Sequence, residues 1–221
     1  MSYFWVCGCI RSGTNFICRA FAPYVDAVMA EDTTKINSYR SRALPARKAL
    51  VNSYDSFAFK VCEDFRQMDE LYKLTDKSFF VFVVRDGREV VQSIATPNRS
   101  SLPFRRFPRV KQLSKITGDD FVSAIQIWME YMNDFTEALE SGSYTGCKML
   151  INYNKFMTDH GEQAKIADLF DQPVQLPEAI RSTPNSNAWE SWSTEQKSKF
   201  KAYPRANDML IRYGYVEDDC W

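Results

Sequence analysis

The sequence predicts an α/β protein: a central parallel sheet of about five strands with helices on both faces. Three observations carry that expectation. Short apolar runs alternate with segments of helical period, an order that right-handed crossovers turn into a parallel sheet. The run Phe79-Phe80-Val81-Phe82-Val83-Val84 is apolar throughout, as strands are when a sheet is covered on both sides. Polar or charged residues also fall repeatedly just past the end of an apolar run, at the carboxyl edge where open parallel sheets take ligands.

Taken in order, Tyr3 to Phe16 reads as a buried strand, a glycine-bracketed loop and the first turn of a helix. Gly8 and Gly13 keep the spacing of a phosphate-binding loop, in which small residues let the backbone curl and aim several N–H groups at one anion. Thr14 and Asn15 stand where a nucleoside triphosphatase would place the lysine and hydroxyl that hold phosphates and magnesium. The strong cation, Arg11, lies inside the loop instead. The loop therefore suits a nucleotide-borne anion that needs no metal, with a sulfonate carried on a phosphate as the leading candidate. Helical character runs from Asn15 to Ala22, where Pro23 denies a backbone donor. Ala27 to Ala30 suits a short strand that delivers Glu31, Asp32, Thr33 and Thr34 to the carboxyl edge. Residues 35 to 55 are polar and basic, and read as loop and partial helix.

Phe57 to Cys62 is the next predicted strand, followed by Glu63 and Asp64 and a helix over residues 67 to 74. The run from Phe79 to Val84 is expected to be the central strand. It ends in Arg85-Asp86-Gly87-Arg88, with helix from Glu89 to Ile94. Prolines and an excess of Arg and Lys across residues 96 to 118 imply a basic lid or a solvated loop. From Asp119 a long helix follows, because Phe121, Ile125, Trp128, Met132, Phe135 and Leu139 recur at three- and four-residue steps; Gly142 ends it. These aromatics belong to a core face and carry no chemistry. Cys147 to Ile151 is a further strand, closed by Asn152 to Phe156, with a short helix over about 162 to 170. Ser193 and Gln196 form a capping box before a last helix that Pro204 must interrupt or kink.

With 221 residues, 45% of them hydrophobic, the chain can bury one substantial core, and a single domain over 1–221 is expected. The formal net charge is zero, so no global field draws it to nucleic acid or an anionic membrane, and any basic site must be local. The six cysteines sit mostly in apolar runs, as free thiols do in a reducing cytoplasm. Cys7 and Cys9 lack a second ligand pair, so no metal site is expected. Neither a leader nor an apolar run approaching the ~18 residues of a membrane span is present, and a soluble, cytoplasmic protein is expected.

Three stretches together resemble the sulfotransferases that use 3′-phosphoadenosine 5′-phosphosulfate (PAPS): Arg11-Ser-Gly-Thr-Asn15, Val84-Arg-Asp-Gly-Arg-Glu-Val-Val-Gln-Ser93 and Asn152-Tyr-Asn-Lys-Phe156. The order of motifs from residue 8 to about 170 is most similar to the tyrosylprotein sulfotransferase subgroup. The resemblance implies that Arg11, Ser12, Gly13, Thr14 and Asn15 hold the 5′-phosphosulfate. It implies that Arg85 and Ser93 hold the 3′-phosphate and that Tyr153 lies beside the adenosine. It places Asp32, with Glu31 its neighbour, at the catalytic base, and Lys60 near the lysine that assists the leaving group. Ser182 would lie near the cofactor. Where cytosolic members carry a histidine after the third strand this chain has Cys62 and Glu63, and its sole histidine, His160, falls in a late polar segment. A carboxylate must then serve as base, with Glu63 a lesser candidate.

The expected reaction moves a sulfonate from PAPS to an acceptor hydroxyl on a peptide tyrosine, a glycan or a small phenol or alcohol, releasing 3′-phosphoadenosine 5′-phosphate (PAP). The enzyme would position the reactants and stabilise charge without a metal. The residues alone leave plainer roles open: Asp32 and Lys60 as solvated side chains, Arg85 as an ion-pair partner of Asp86, and Arg88 as a support for its turn. Two other functions stay open at this point, a non-catalytic nucleotide-binding module and a P-loop kinase.

Overall fold

The computed structural model describes residues 2–29, 51–61, 73, 75, 77–96, 117–140, 147–176, 187–218 and 221. Glu31, Asp32, Thr33, Thr34, Cys62, Glu63, Asp64, Gly142 and Ser182 lie outside them, as do nearly all of the expected 67–74 helix and of the basic 96–118 segment. Backbone proximity groups the chain into two compact units, Met1–Val84 with Asp134–Pro184, and Arg85–Asn133 with Asn185–Trp221.

The first unit holds five parallel strands, β1 (Tyr3–Gly8), β2 (Ala27–Met29), β3 (Phe57–Val61), β4 (Ser78–Val84) and β5 (Cys147–Asn152), in the order β2-β3-β1-β4-β5. The strand in the middle is β1, not β4. The apolar run at 79–84 reflects burial on both faces, which β1 shares, so hydrophobicity alone does not separate the two. The chain leaves β1 for β2 on one side and leaves β4 for β5 on the other. Adjacent strands with oppositely directed exits open a crevice at their carboxyl ends, and β1 delivers its glycine loop there.

Register assigns the two faces. Phe4 lies beside Ala58 and Phe79, Val6 beside Lys60 and Val81, and Ile151 beside Val83. On that face Phe4, Val6, Ala58, Val81, Val83 and Ile151 pack with Ile17, Cys18 and Phe21 of α1 (Thr14–Ala20) and its following turn, with Phe156 of α4 (Tyr153–Phe156), and with Ile166 of α5 (His160–Asp168). The opposite face carries Trp5, Phe57, Phe59, Phe80 and Phe82. There the long helix α3 (Asp120–Glu140) sets Phe135 edge-on to Phe82, with ring centroids 5.1 Å apart. Trp5 is fully buried and its indole N–H donates to Ser78 Oγ at 3.0 Å, which satisfies the polar end of a large core ring. The sheet thus has helices on both faces, as the alternation in sequence implied. Cys7, Cys9 and Cys18 are buried and outside any disulfide, as expected, and Cys147 is exposed.

The second unit contains α2 (Gly87–Ala95), the N-terminal part of α3, a 3₁₀ turn over Ala188–Ser191, α6 (Thr194–Lys201) and α7 (Pro204–Arg212). Its centre is aromatic: Trp128 packs on Phe200, and Trp192 touches Phe121, Phe200 and Trp221. Phe121, Ile125, Trp128, Met132 and Phe135 are all buried, so the predicted apolar stripe of α3 is core. The capping box at Ser193 and Gln196 forms, with both reciprocal hydrogen bonds in place. Pro204 ends one helix and begins another. At the first position of α7 its missing N–H is one the helix would have left unused. Among the described residues, no helix is long and apolar enough to cross a membrane.

Candidate functional site

Gly8 closes β1 in a space that admits no side chain. A β-carbon there would stand 2.7 Å from Ser12 Oγ and Thr14 Cγ2 and 2.8 Å from the Val83 carbonyl oxygen of the neighbouring strand. Past Gly8 the backbone turns back on itself, the Ser12 N–H donating to Cys9 O at 3.1 Å. Two residues take left-handed backbone: Gly13 at φ 91° and Arg11 at φ 67°. For arginine that conformation costs about 1–2 kcal/mol relative to an ordinary turn. The Gly13 carbonyl then accepts from the N–H groups of Phe16 and Ile17, starting α1.

Side chains of the loop point in different directions. Arg11 and Asn15 are exposed, whereas Ser12 and Thr14 are buried at 1% and 4% exposure. Ser12 Oγ is enclosed and has no hydrogen-bond partner among the described residues. An orphaned buried hydroxyl costs about 1–3 kcal/mol. To meet an anion in front of the loop, this side chain would have to turn outward.

Lys60 reaches the loop from β3. Its pairing with Val6 sets it on the face of the sheet that α1 covers, and its half-buried stem extends to the first turn of α1, where Nζ donates to Asn15 Oδ1 at 2.5 Å. Tyr153 also reaches the loop. Its ring lies against Gly13 where a β-carbon would stand, and edge-on to Phe16 at 5.6 Å. Tyr153 is only 7% exposed, so it buttresses the loop. The strand that delivers it is fixed by Glu162 of α5, whose Oε1 accepts the Asn152 N–H at 2.6 Å. The Asn152 side chain in turn caps α4 by accepting from the Lys155 N–H. His160, the first residue of α5, is exposed.

In the second unit, Arg85 pairs with Glu89 rather than Asp86: Nε donates to Oε2 at 2.8 Å. The buried Glu89 also accepts the Asn187 N–H on Oε1 at 3.0 Å. Ser93 is half-buried one helical turn beyond Glu89 on the same face of α2. Arg88 does support the turn. Its guanidinium donates to both Asp86 carboxylate oxygens, with Nη2 2.6 Å from Oδ2, and stacks 3.7 Å from the centroid of Trp189. Burial pushes the Asp86 carboxyl above its ordinary range, and the hydrogen bonds and charge of Arg88 act against that. Gly87 is required because the Trp128 ring occupies the volume of its would-be β-carbon.

The sequence-derived candidates therefore divide. Arg11, Ser12, Gly13, Thr14, Asn15, Lys60 and Tyr153 gather around the loop of the first unit. Arg85 and Ser93 belong to the second unit, and Asp32 and Glu31 lie outside the described residues. Glu89 and Glu162 did not emerge from the sequence. The four-residue step from Arg85 to Glu89 was the readable sign of the first. The second, a glutamate across a strand-to-helix turn, leaves no local signature.

Two cationic side chains, Arg11 and Lys60, lie at the loop, whose backbone is curled by two left-handed residues. That donor set fits a phosphate or sulfonate. No protein-family model and no curated protein matches this chain.

Proposed function

We propose that this chain is a PAPS-dependent sulfotransferase in which Gly8 to Asn15 forms a phosphate-binding loop for the 5′-phosphosulfate. The observation that carries the reading is the glycine-bracketed loop at the carboxyl end of the middle strand, with the Lys60 ammonium delivered to Asn15 from the neighbouring strand. Arg11 and Lys60 would stabilise negative charge growing on the sulfonate and on the bridging oxygen, where one preorganised donor is commonly worth about 2.7–4 kcal/mol. The acceptor oxygen forms its bond to sulfur as the bond from sulfur to the bridging oxygen breaks. The acceptor proton passes to Asp32 or Glu31, a transfer worth roughly 10²- to 10⁴-fold, and PAP leaves. Arg85 and Ser93 would hold the 3′-phosphate, and Tyr153, through its support of the loop, would bear on adenosine binding.

The experiment is PAPS turnover against a panel of tyrosine peptides, glycans and small phenols, alongside PAP binding by calorimetry. Turnover that disappears in the Asp32→Ala/Glu31→Ala double variant supports the sulfotransferase. PAP binding without turnover on any acceptor would instead make the chain a nucleotide-binding module, and magnesium-dependent ATP consumption would make it a kinase.

A further inference from the structure

β5 is an edge strand: β4 pairs it on one side, and among the described residues no strand pairs it on the other. Side chains of α5 take up backbone groups along it instead. Lys165 Nζ donates to Leu150 O at 3.1 Å, and Glu162 Oε1 accepts the Asn152 N–H at 2.6 Å. Just beyond the strand, Gln163 Nε2 donates to Phe156 O at 2.8 Å. Between these anchors lies Tyr153, whose ring fills the β-carbon volume of Gly13. We propose that Glu162 is a positioning residue for the loop after β1: by fixing the backbone at Asn152 it seats the Tyr153 ring on Gly13 and holds the loop in the shape that binds the nucleotide. The inference rests on the loop being the nucleotide site of the proposed function.

Of the three anchors, Glu162 holds the residue directly before Tyr153. Asn152 and Glu162 are both buried, so water does not readily replace either group, and an ionised acceptor makes this bond roughly twice as strong as a neutral one would. Lys165 stands 2.8 Å from the other carboxylate oxygen, Oε2, which keeps Oε1 turned to Asn152. The lysine itself is 42% exposed, and water can take its place on Leu150 O. The Asn152 side chain is committed to the Lys155 N–H, so the carboxylate also fixes the first turn of α4, where Tyr153 begins the helix. At the far end, Phe16 of α1 packs edge-on against both Tyr153 and Phe156, at 5.6 and 6.4 Å between ring centroids. A shift at Asn152 therefore reaches the loop backbone at Gly13 and the start of α1 together, because a close-packed interior transmits displacement. Glu162 acts on a ligand through Tyr153 and the loop.

The test combines nuclear magnetic resonance of the full chain, isotopically labelled at glycine Cα, with calorimetric PAP binding. Glycine protons over an aromatic ring are displaced upfield, and the Gly13 signal is the one that Tyr153→Leu returns toward the ordinary range. Glu162→Met keeps the length of the side chain but gives the Asn152 N–H no oxygen; it should move the Gly13 signal and weaken PAP binding roughly two- to thirtyfold. Glu162→Gln keeps an accepting oxygen and should preserve the signal, with PAP affinity within about twofold of wild type. Lys165→Met should leave signal and affinity unchanged, whatever its effect on melting temperature. Should Glu162→Met not fold, Glu162→Asp, one methylene shorter, takes its place and should move the same signal by drawing Asn152 toward α5. An unmoved Gly13 signal in the folded variant would overturn the inference, as would a moved signal with unchanged PAP affinity, or Glu162→Gln losing as much as Glu162→Met. A wild-type chain that binds no PAP would remove the sulfotransferase reading, and the response of Gly13 to Glu162 would still decide whether this glutamate sets the loop.

Discussion

The aromatic ring of Tyr153 lies flush against the backbone of Gly13, filling the volume that any other residue would need for its β-carbon. One link in this packing is covalent continuity with β5, and the other is the left-handed φ of 91° at Gly13. The shape of the loop after β1 is therefore set by a side chain from the far end of the sheet. The motif containing Tyr153 acts on the loop by packing, whatever it also does toward a ligand.

Replacing Gly13 by alanine should be costly on two counts. The left-handed backbone disfavours any β-carbon, and the ring of Tyr153 would have to move, an overpacking that typically costs about 1–3 kcal/mol. Chemical denaturation should show that loss, and PAP affinity should fall with it because the loop backbone shifts. Adding Tyr153→Ala should relieve the clash and return part of the stability relative to the sum of the single changes. Strict additivity would mean the two residues are not coupled.

Glu89 should matter to Arg85 more than Asp86 does. Its carboxylate bridges Arg85 Nε and the Asn187 N–H while almost fully buried. Removing one partner of a buried pair costs about 3–5 kcal/mol, and Glu89→Ala should fall near the lower bound because Arg85 retains some exposure. PAP affinity should drop in Glu89→Ala as Arg85 loses its orientation. Ser93→Ala should weaken PAP binding while leaving the melting temperature nearly unchanged. Unaltered PAP affinity in both variants would take the second unit out of cofactor recognition.

Acid should loosen the start of α3. The Lys199 ammonium, 2.9 Å from Asp119 Oδ2, with the backbone N–H groups of Val122 and Phe121, holds the Asp119 carboxyl below its ordinary 3.8. A depressed carboxyl contributes stability that is complete above the unfolded value and is lost as pH falls through the folded one. Wild-type melting temperature should therefore drop between about pH 5 and pH 3 by more than that of Asp119→Asn, which keeps a capping oxygen but has no proton to gain. Lys199→Met should also flatten the profile, since both side chains are about a third exposed and the pair acts through direct contact. Parallel profiles in all three proteins would remove this pair from the acid response.

Gly87 and Trp128 make a second ring-on-glycine contact. No unusual φ is needed at Gly87, so alanine there is a packing perturbation alone. Gly87→Ala should destabilise by about 1–3 kcal/mol, and Trp128→Phe, by vacating part of the volume, should recover some of it in the double variant. A neutral Gly87→Ala would mean the indole is free to swing away.

The sequence disclosed the strands, because burial on both faces of a parallel sheet leaves nearly unbroken apolar runs at Phe57 and Phe79, while the edge strand β5, exposed at Cys147, still shows the short apolar run Met149-Leu150-Ile151. It also disclosed α3 through its apolar stripe and α6 through its capping box. It did not disclose that β1 rather than β4 is the middle strand, since strand order depends on crossovers that no local pattern encodes. At the site, the glycine spacing revealed the loop, but Lys60 on Asn15, Tyr153 on Gly13 and Glu162 on the Asn152 N–H are contacts between distant segments. Each sums burial, strand register and rotamer choice. Spacing along the chain carries none of these.

Arg11 joins conformational strain and charge at one position, and the two can be separated. Its φ of 67° is unfavourable for a side chain, so Arg11→Gly should be more stable than Arg11→Ala by about 1 kcal/mol, reflecting the glycine's freedom in left-handed backbone. If the loop keeps arginine there for its charge, both variants should lose sulfonate transfer while remaining folded, and the more stable glycine variant should be no more active than the alanine one. Denaturant melts measure the first difference and PAPS turnover the second. Wild-type turnover in either variant would remove the Arg11 guanidinium from the reaction. Loss of turnover in the alanine variant alone would assign Arg11 the task of shaping the loop, leaving Lys60 as its working cation.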